Sequence, residues 1–254
     1  MKVLLILIDG MRPDSLTNVE YAQEFIKKST YTLGAKTVLP SDTLPCHMSL
    51  YHSVSPDVHK TKSNTFNANA NPIKGLCEVL SDSKKSCAFF YSWGELRDLV
   101  KPGSLTHSCF INGDKVTFAV ANDRLTDCAI DYLKDNDSDF TFLYLGNTDA
   151  IGHKHGWMGK EYLEAVENSF KNVKKIYETL SDDYTVIITA DHGGHDYTHG
   201  TSSDEDMTIP VIINGANIEC GKQLYNVSIK DIAPTIVSLL GVEPNSDWEG
   251  KNLL

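Results

Sequence analysis

Residues 184–200 read YTVIITADHGGHDYTHG, and this stretch decides how the rest of the chain is interpreted. Its first seven residues, 184–190, are β-branched and apolar, which predicts a buried strand. Asp191 and His192 follow at the carboxyl end of that strand, where open α/β sheets place their ligand-binding groups. Three histidines of the stretch have the spacing of a helix face, but the paired glycines disfavour a helix. We therefore expect a strand followed by a polar loop.

Apolar runs alternate with amphipathic stretches along most of the chain. The clearest strands are predicted at 3–8, 86–91, 140–145, 184–190 and 208–213. Residues 162–180 carry apolar side chains at steps of three and four, which predicts a helix facing the core. Residues 231–240 precede a glycine stop signal and predict a second helix. The alternation indicates an α/β fold, a three-layer αβα sandwich with a mainly parallel central sheet.

Length and charge limit the class of protein. A chain of 254 residues without a visible linker predicts one domain, 1–254, in which 97–120 form a small lid or a hairpin insertion. The Asn-rich stretch 64–72 is predicted to be a loop. A net charge of −11 with only three arginines argues against binding to a nucleic-acid polymer, which requires a basic face.

The N-terminal apolar run and the cysteines indicate in which cellular compartment the protein is expected. The run covers only residues 3–8, too short to span a membrane, and no cleavage site follows it. It is therefore predicted to be the first strand of a cytoplasmic protein without a membrane partner. The six cysteines are scattered with no C-x-x-C pair, so we expect mostly reduced core residues.

Carboxylate and imidazole side chains follow three of the predicted strands. Asp9 follows the first strand, and Asp149 and His153 follow the strand at 140–145. The third set is the loop quoted above. A single aspartate at a strand end is often only a helix cap or turn former. The repetition at three strand ends instead indicates a metal site, and oxygen and imidazole ligands without thiolates favour Zn²⁺ or Mn²⁺.

The segment PSDTLPCH at 40–47 contains three candidate nucleophiles, Ser41, Thr43 and Cys46. A hydroxyl attacks at neutral pH only when a base or a metal ion lowers its pKa. The same residues also suit the cap of a following helix, and a helix N-terminus favours a phosphate group as well. The residues by themselves leave these alternatives open.

Four motifs in this order resemble those of the alkaline phosphatase superfamily, and most of all those of its nucleotide pyrophosphatase/phosphodiesterase branch. They are LILIDGMRPD, PSDTLPCHMSL, TDAIGHKHG and ADHGGHDYTHG. The resemblance implies a threonine nucleophile and two divalent metal ions, most simply Zn²⁺ with Mn²⁺ as an alternative. By position, the nucleophile is Thr43 and the group that contacts the transferred phosphoryl oxygen is Asn64. The implied ligands are Asp9, Asp191 and His192 with Thr43 for one ion, and Asp149, His153 and His199 for the other.

This resemblance implies a hydrolase that cleaves phosphate diester or pyrophosphate bonds in a small molecule through a phosphothreonine intermediate. Three ligand aspartates against two divalent ions leave a charge of about +1, which attracts a phosphate despite the acidic protein. Leu44 stands where nucleotide-cleaving members have an aromatic residue, so nucleotide specificity is not implied. The shortage of arginine favours a monoanionic diester, although Lys60 or Lys62 could serve a monoester. A phosphomonoesterase or phosphonate hydrolase is the alternative, and a non-catalytic metal-binding relative is a remote one.

Several neighbouring polar residues are predicted to lie outside the metal site. His195 is interpreted as a supporting or solvent-facing residue, although it is nearer to His192 in sequence than His199 is. Arg12 is expected to pair with a carboxylate near the first strand. The acidic run 204–206 is interpreted as a solvated turn before the strand at 208–213.

Overall fold

A mixed seven-stranded sheet forms the centre of the computed structural model, which describes residues 1–65, 73–101 and 103–254. The strands are β1 Lys2–Ile8, β2 Thr30–Lys36, β3 Cys87–Tyr91, β4 His107–Phe110, β5 Phe140–Leu145, β6 Tyr184–Thr189 and β7 Thr208–Asn214. Their order is β2-β7-β6-β1-β5-β3-β4. β7 is antiparallel to β2 and β6, and the other neighbours pair in parallel. The predicted, mainly parallel sheet is confirmed.

Helices cover both faces of this sheet. The α-helices of the described residues are α1 Glu20–Lys27, α2 Thr43–His52, α3 Pro56–His59, α4 Leu76–Asp82, α5 Gly113–Val116, α6 Phe118–Asp135, α7 Asn147–His155, α8 Lys160–Tyr177, α9 Asp204–Met207 and α10 Ile232–Leu239. Successive strand residues point to opposite faces. Phe89 of β3 accordingly packs on Tyr51 of α2, whereas Phe90 packs on Tyr132 of α6. The three-layer αβα sandwich is therefore confirmed.

The central strands are buried on both faces. All six residues 3–8 of β1 have no exposed surface, which explains their uninterrupted apolar sequence. Phe142 of β5 lies in the same layer as Tyr51, with their ring centroids 5.5 Å apart. The buried centre of the fold is thus formed by β1 and its two neighbours, β5 and β6.

The structure adds elements that the sequence pattern did not predict. β2 and β4 lie at the two edges of the sheet, and α6 is an 18-residue helix. Within the segment 97–120, β4 pairs in parallel with β3, and α5 follows it. The single domain and the insertion at 97–120 stay predictions. Most of the predicted Asn-rich loop, 66–72, lies outside the described residues.

The cysteines are less uniformly buried than expected. Cys46, Cys77 and Cys87 are buried, Cys109 is half-buried, and Cys128 and Cys220 are exposed, with all six in the free form. Among the helices of the described ranges, none combines the length and apolar character needed to cross a membrane.

Candidate metal centre

The centre lies where the carboxyl ends of three adjacent parallel strands meet. Asp9 directly follows β1, Asp149 lies in the first turn of α7 after β5, and Asp191 follows β6 by two positions. The strands β5, β1 and β6 are neighbours in register, so their ends bring these residues together. Residues separated by some 180 positions thereby contact each other, as when the Gly10 amide donates to Asp191 Oδ1 at 3.2 Å.

The first group of side chains surrounds His192. Its Nε2 atom lies 3.4 Å from Asp9 Oδ1 and 3.3 Å from Asp191 Oδ2. The same nitrogen lies 3.2 Å from Thr43 Oγ1. All four side chains are buried. The structure thus brings together the four residues that the resemblance assigns to one ion.

The second group adjoins the first. Asp149 Oδ1 lies 3.5 Å from His153 Nε2 and 3.6 Å from His199 Nε2, and these two nitrogens are 3.1 Å apart. One potential ligand atom from each residue lies within 4.8 Å of the others. Asp149 forms a similar group with Asp9 and His192. The two groups therefore share a boundary at Asp149.

Backbone carbonyls orient all three imidazoles in the same way. In each ring, Nδ1 donates a hydrogen bond to a carbonyl oxygen, which leaves the Nε2 lone pair facing the centre. This arrangement is the usual support of a metal-binding histidine. The pairs are His192 with Gly193 at 2.8 Å, His153 with Tyr197 at 3.0 Å, and His199 with Ser41 at 2.9 Å.

The donor set fits divalent cations. Among the described residues, Asp9 Oδ1, Asp149 Oδ1 and Asp191 Oδ2 are buried and accept no hydrogen bond. Unpaired buried carboxylate oxygens are costly, and a cation between them removes that cost. The close approach of the Nε2 atoms of His153 and His199 has the same explanation, because both lone pairs can point at one cation but not at each other.

Electrostatics at the centre agree with this fit. Burial, together with the charges of Asp191 and Asp149, raises the pKa of Asp9 well above its usual value. Burial and the nearby His192 lower the pKa of His199 to about 3, so this imidazole is neutral and able to bind a metal ion. Burial would also raise the pKa of Asp191, but the imidazoles of His192 and His47 outweigh it and lower that pKa.

Thr43 is the first residue of α2 and lies beside both groups. The side chain of the preceding residue, Asp42, makes no capping hydrogen bond, so this segment is not simply a helix cap. Asn64 Oδ1 accepts a hydrogen bond of 2.9 Å from the amide of Leu44, which places Asn64 next to Thr43. Cys46 is buried away from the cavity, and burial raises its pKa well above the usual value, which makes it a poor nucleophile.

Trp157 packs against the residues of the candidate centre, a contact that the sequence did not reveal. Its Nε1 donates to the carbonyl of Gly10 at 2.9 Å, and its ring lies edge-on to His153 with centroids 5.1 Å apart. A Cβ atom on Gly194 would lie 2.2 Å from this indole, and one on Gly193 would lie 2.0 Å from the carbonyl oxygen of Glu205. The paired glycines are therefore required by close packing on both sides of the loop.

The interpretation of 204–206 as a solvated turn is wrong for Asp206, which is completely buried. Asp206 accepts hydrogen bonds from His195 Nδ1 at 2.7 Å and from the Thr201 amide at 2.8 Å. It is buried because these donors satisfy its charge. His195 belongs to neither ligand group among the described residues, and it anchors the loop instead. Arg12 pairs with Asp14 at 2.6 Å, as expected.

A cavity of about 230 Å³ opens onto the centre. It is lined by Thr43, Asn64 and candidate ligands of both groups. Its remaining wall includes three residues that the sequence analysis did not single out, namely Trp93, Asp114 and Phe118. Aromatic residues and a carboxylate at isolated positions carry no recognisable sequence signal, because their role depends on the cavity they share.

Comparison with known proteins assigns the chain to a family. A family model described as the metalloenzyme superfamily matches residues 1–244. The chain is 31% identical over 138 residues to a 2,3-bisphosphoglycerate-independent phosphoglycerate mutase of Clostridioides difficile, which covers 52% of the chain and 27% of that protein. It is 31% identical over 121 residues to a phosphopentomutase of Clostridium kluyveri, which covers 47% of the chain and 30% of that protein. The chain thus spans less than a third of either relative.

Solved structures share the fold. Murine ectonucleotide pyrophosphatase/phosphodiesterase 5 superposes with a TM-score of 0.81 at 14% identity, over 100% of both chains. A 2-O GAG sulfatase superposes with a TM-score of 0.80 at 14% identity, over 99% of this chain and 73% of the sulfatase. At such low identity these likenesses establish the fold alone.

Proposed function

This chain belongs to the metalloenzyme superfamily, and we propose that it is a metal-dependent hydrolase of phosphate diester or pyrophosphate bonds in small molecules. The resemblance to the alkaline phosphatase superfamily is confirmed at the level of the superfamily, whereas the choice of reaction is our proposal. The observation that carries it is the position of Thr43, which lies at the start of α2 and beside both groups of metal-binding side chains.

Two divalent ions, Zn²⁺ or Mn²⁺, are proposed to bind to these groups. When bound, they supply Lewis-acid polarisation of a phosphoryl oxygen and lower the pKa of a coordinated hydroxyl. The proposed ligands are Asp9, Thr43, Asp191 and His192 for one ion and Asp149, His153 and His199 for the other. The backbone hydrogen bonds to the imidazoles keep these ligands in place before substrate binds.

Thr43 is proposed to attack phosphorus through Oγ1, which forms a phosphothreonine while the bond to the leaving oxygen breaks. Asn64 is proposed to stabilise the charge that develops on a non-bridging oxygen. Its Oδ1 is already occupied by the Leu44 amide, so its Nδ2 group remains available as a donor. Water then releases the phosphoryl group from Thr43.

A diester is favoured over a monoester by the charges around the cavity. Its described lining residues include no lysine or arginine to neutralise a second negative charge on the phosphate. Lys62, which was considered for this role, pairs instead with Asp57 at 2.6 Å. The alternative is a phosphomonoesterase or phosphonate hydrolase. The observation that supports it is the similarity to two relatives that are, by name, mutases of phosphorylated compounds.

The test compares bis(p-nitrophenyl) phosphate with p-nitrophenyl phosphate after reconstitution with zinc or manganese. We expect a higher kcat/KM for the diester, and a clear monoester preference would favour the alternative.

Thr43→Ala should abolish turnover while metal remains bound, whereas Thr17→Ala, a matched change at an exposed threonine, should leave turnover unchanged. Activity that survives in Thr43→Ala would refute the nucleophile assignment.

Metal analysis tests the remote alternative and the stoichiometry. We expect about two equivalents of metal per chain. Two equivalents without any phosphate-ester turnover would support a non-catalytic metal-binding relative. A cytoplasmic location is part of the proposal and is supported by the six free cysteines, which suit a reducing compartment.

A further inference from the structure

Besides the metal-binding groups, the cavity is lined by Trp93 and Phe118, two aromatic residues, and by a further carboxylate, Asp114. We propose that this wall, formed by Trp93, Asp114 and Phe118, selects phosphate esters whose alcohol group carries a positive charge, with Asp114 as the specificity-determining residue. The proposal rests on the proposed function, since it concerns the substrate of the same site.

Backbone hydrogen bonds hold Asp114 beside Trp93. After β4, the Ile111 amide donates to the Tyr91 carbonyl at 3.1 Å, and the Gly113 amide donates to the Ser92 carbonyl at 2.9 Å. The chain therefore continues alongside the end of β3, which leads directly into Trp93. Asn112 Oδ1 then accepts a hydrogen bond from the Asp114 amide at 3.0 Å and starts α5.

Phe118 connects this wall to the metal centre by direct packing. A Cβ atom on Gly113 would lie 2.5 Å from the Phe118 ring, and one on Gly146 would lie 2.8 Å from it. The Gly146 position also touches Tyr144, whose hydroxyl donates to Asp9 Oδ2. An ester with its phosphorus at Thr43 would therefore extend a substituent toward Phe118 and Asp114.

The charge of the wall determines which substituent is favoured. The other described carboxylates of the lining, Asp9 and Asp149, belong to the metal-binding groups, whereas Asp114 is exposed and has no ion pair in the described part of the chain. A carboxylate next to aromatic faces attracts an ammonium group. It repels a carboxylate or a further phosphate, so this wall disfavours a pyrophosphate and favours a diester of an amino alcohol.

The experiment compares two p-nitrophenyl phosphodiesters of equal shape, p-nitrophenyl phosphocholine and p-nitrophenyl 3,3-dimethylbutyl phosphate. They differ only in the positive charge of the quaternary nitrogen. We expect kcat/KM to be about tenfold higher for the charged ester, with the preference weakening as salt is added. Asp114→Asn should bring the two values within about twofold of each other through a higher KM for the charged ester, because the attractive charge is gone.

Asp135→Asn is the matched control, because it removes the same charge from the far end of α6, and it should keep the preference. Equal kcat/KM for both esters in the unmodified protein would overturn the specificity while leaving the hydrolase assignment intact. A preference that persists in Asp114→Asn would overturn the role of Asp114. Failure to hydrolyse these esters and bis(p-nitrophenyl) phosphate alike would refute the proposed function and this inference with it.

Discussion

Single hydrogen bonds orient several side chains at the candidate site. Asn64 is the clearest case, because the one bond from the Leu44 amide to its Oδ1 determines which end of the side chain faces the cavity. The identity of this residue in the sequence does not reveal that orientation. The resemblance to a family pointed to Asn64 by counting from Thr43, and the contact with the next residue gives that position a physical meaning.

Asn64→Ala is expected to lower kcat/KM by about 10²–10³-fold, the usual cost of removing one donor to a developing oxyanion. Metal content should not change, because Asn64 belongs to neither ligand group. Steady-state kinetics on a phosphodiester together with metal analysis would measure both. Asn18→Ala, at an exposed asparagine, serves as the control. A variant that loses metal along with activity would show that Asn64 acts through the centre itself.

His195 is expected to make a pH-dependent contribution to the free energy of unfolding. The hydrogen bond to the buried Asp206 carboxylate raises the pKa of His195 above its usual value. Since the folded-state pKa is the higher one, the stabilisation is complete below the unfolded pKa of about 6.5 and is lost as pH rises through the folded pKa. We expect His195→Gln to lose more stability at pH 5 than at pH 9. Urea unfolding at the two pH values would measure this, and an equal loss at both would contradict the assignment.

At the level of elements, the loop after β6 is held by packing on both of its sides. Gly193 touches the backbone of α9, and Gly194 touches the indole of Trp157. Asp206 and the backbone of α9 attach the loop a second time through hydrogen bonds. The loop carries proposed ligands of both groups, so these contacts are expected to hold the two groups at a fixed separation.

Gly194→Ala is expected to destabilise the fold by about 1–3 kcal/mol, because the added methyl group overpacks the space filled by Trp157. Gly34→Ala is the matched control, since a Cβ atom there would meet nothing closer than 4.0 Å. Its effect should be within about 0.5 kcal/mol. Thermal denaturation of both variants would measure the difference. A Gly194→Ala variant as stable as Gly34→Ala would show that the loop or Trp157 can move to accommodate the methyl group.

The elements differ in how well the sequence predicted them, for physical reasons. β1, β5 and β6 are buried on both faces and therefore have continuous apolar sequences, which made their ends and the aspartates there predictable. The edge strands β2 and β4 have half-exposed, mixed sequences with no such signal. Asp206 was misinterpreted because its burial depends on donors from His195 and Thr201, which a local acidic pattern does not reveal.

Across the whole molecule, metal binding and stability are expected to be linked. Three carboxylates with buried, unpaired oxygens lie close together at the carboxyl ends of the central strands, where their charges repel one another. Cations that bind the folded state alone stabilise it, by about 2.7 kcal/mol at a free concentration of 100 times Kd.

We therefore expect EDTA to lower the Tm and Zn²⁺ or Mn²⁺ to restore it, as followed by circular dichroism. In His192→Ala the metal-dependent shift should shrink, whereas His155→Ala, at an exposed histidine outside both groups, should retain it. A Tm that does not respond to chelator or metal would argue that the cluster holds no cation in the folded protein.

The strand order also has a consequence for biosynthesis. The centre depends on β1, which is made first, and on β6 and its loop, which follow some 180 residues later. Before β6 leaves the ribosome, β1 lacks one of its two partners, and a nascent chain of that length contains only four of the seven proposed ligands. Pairing between such distant segments is slow. Metal loading is thus expected to be a late event in folding.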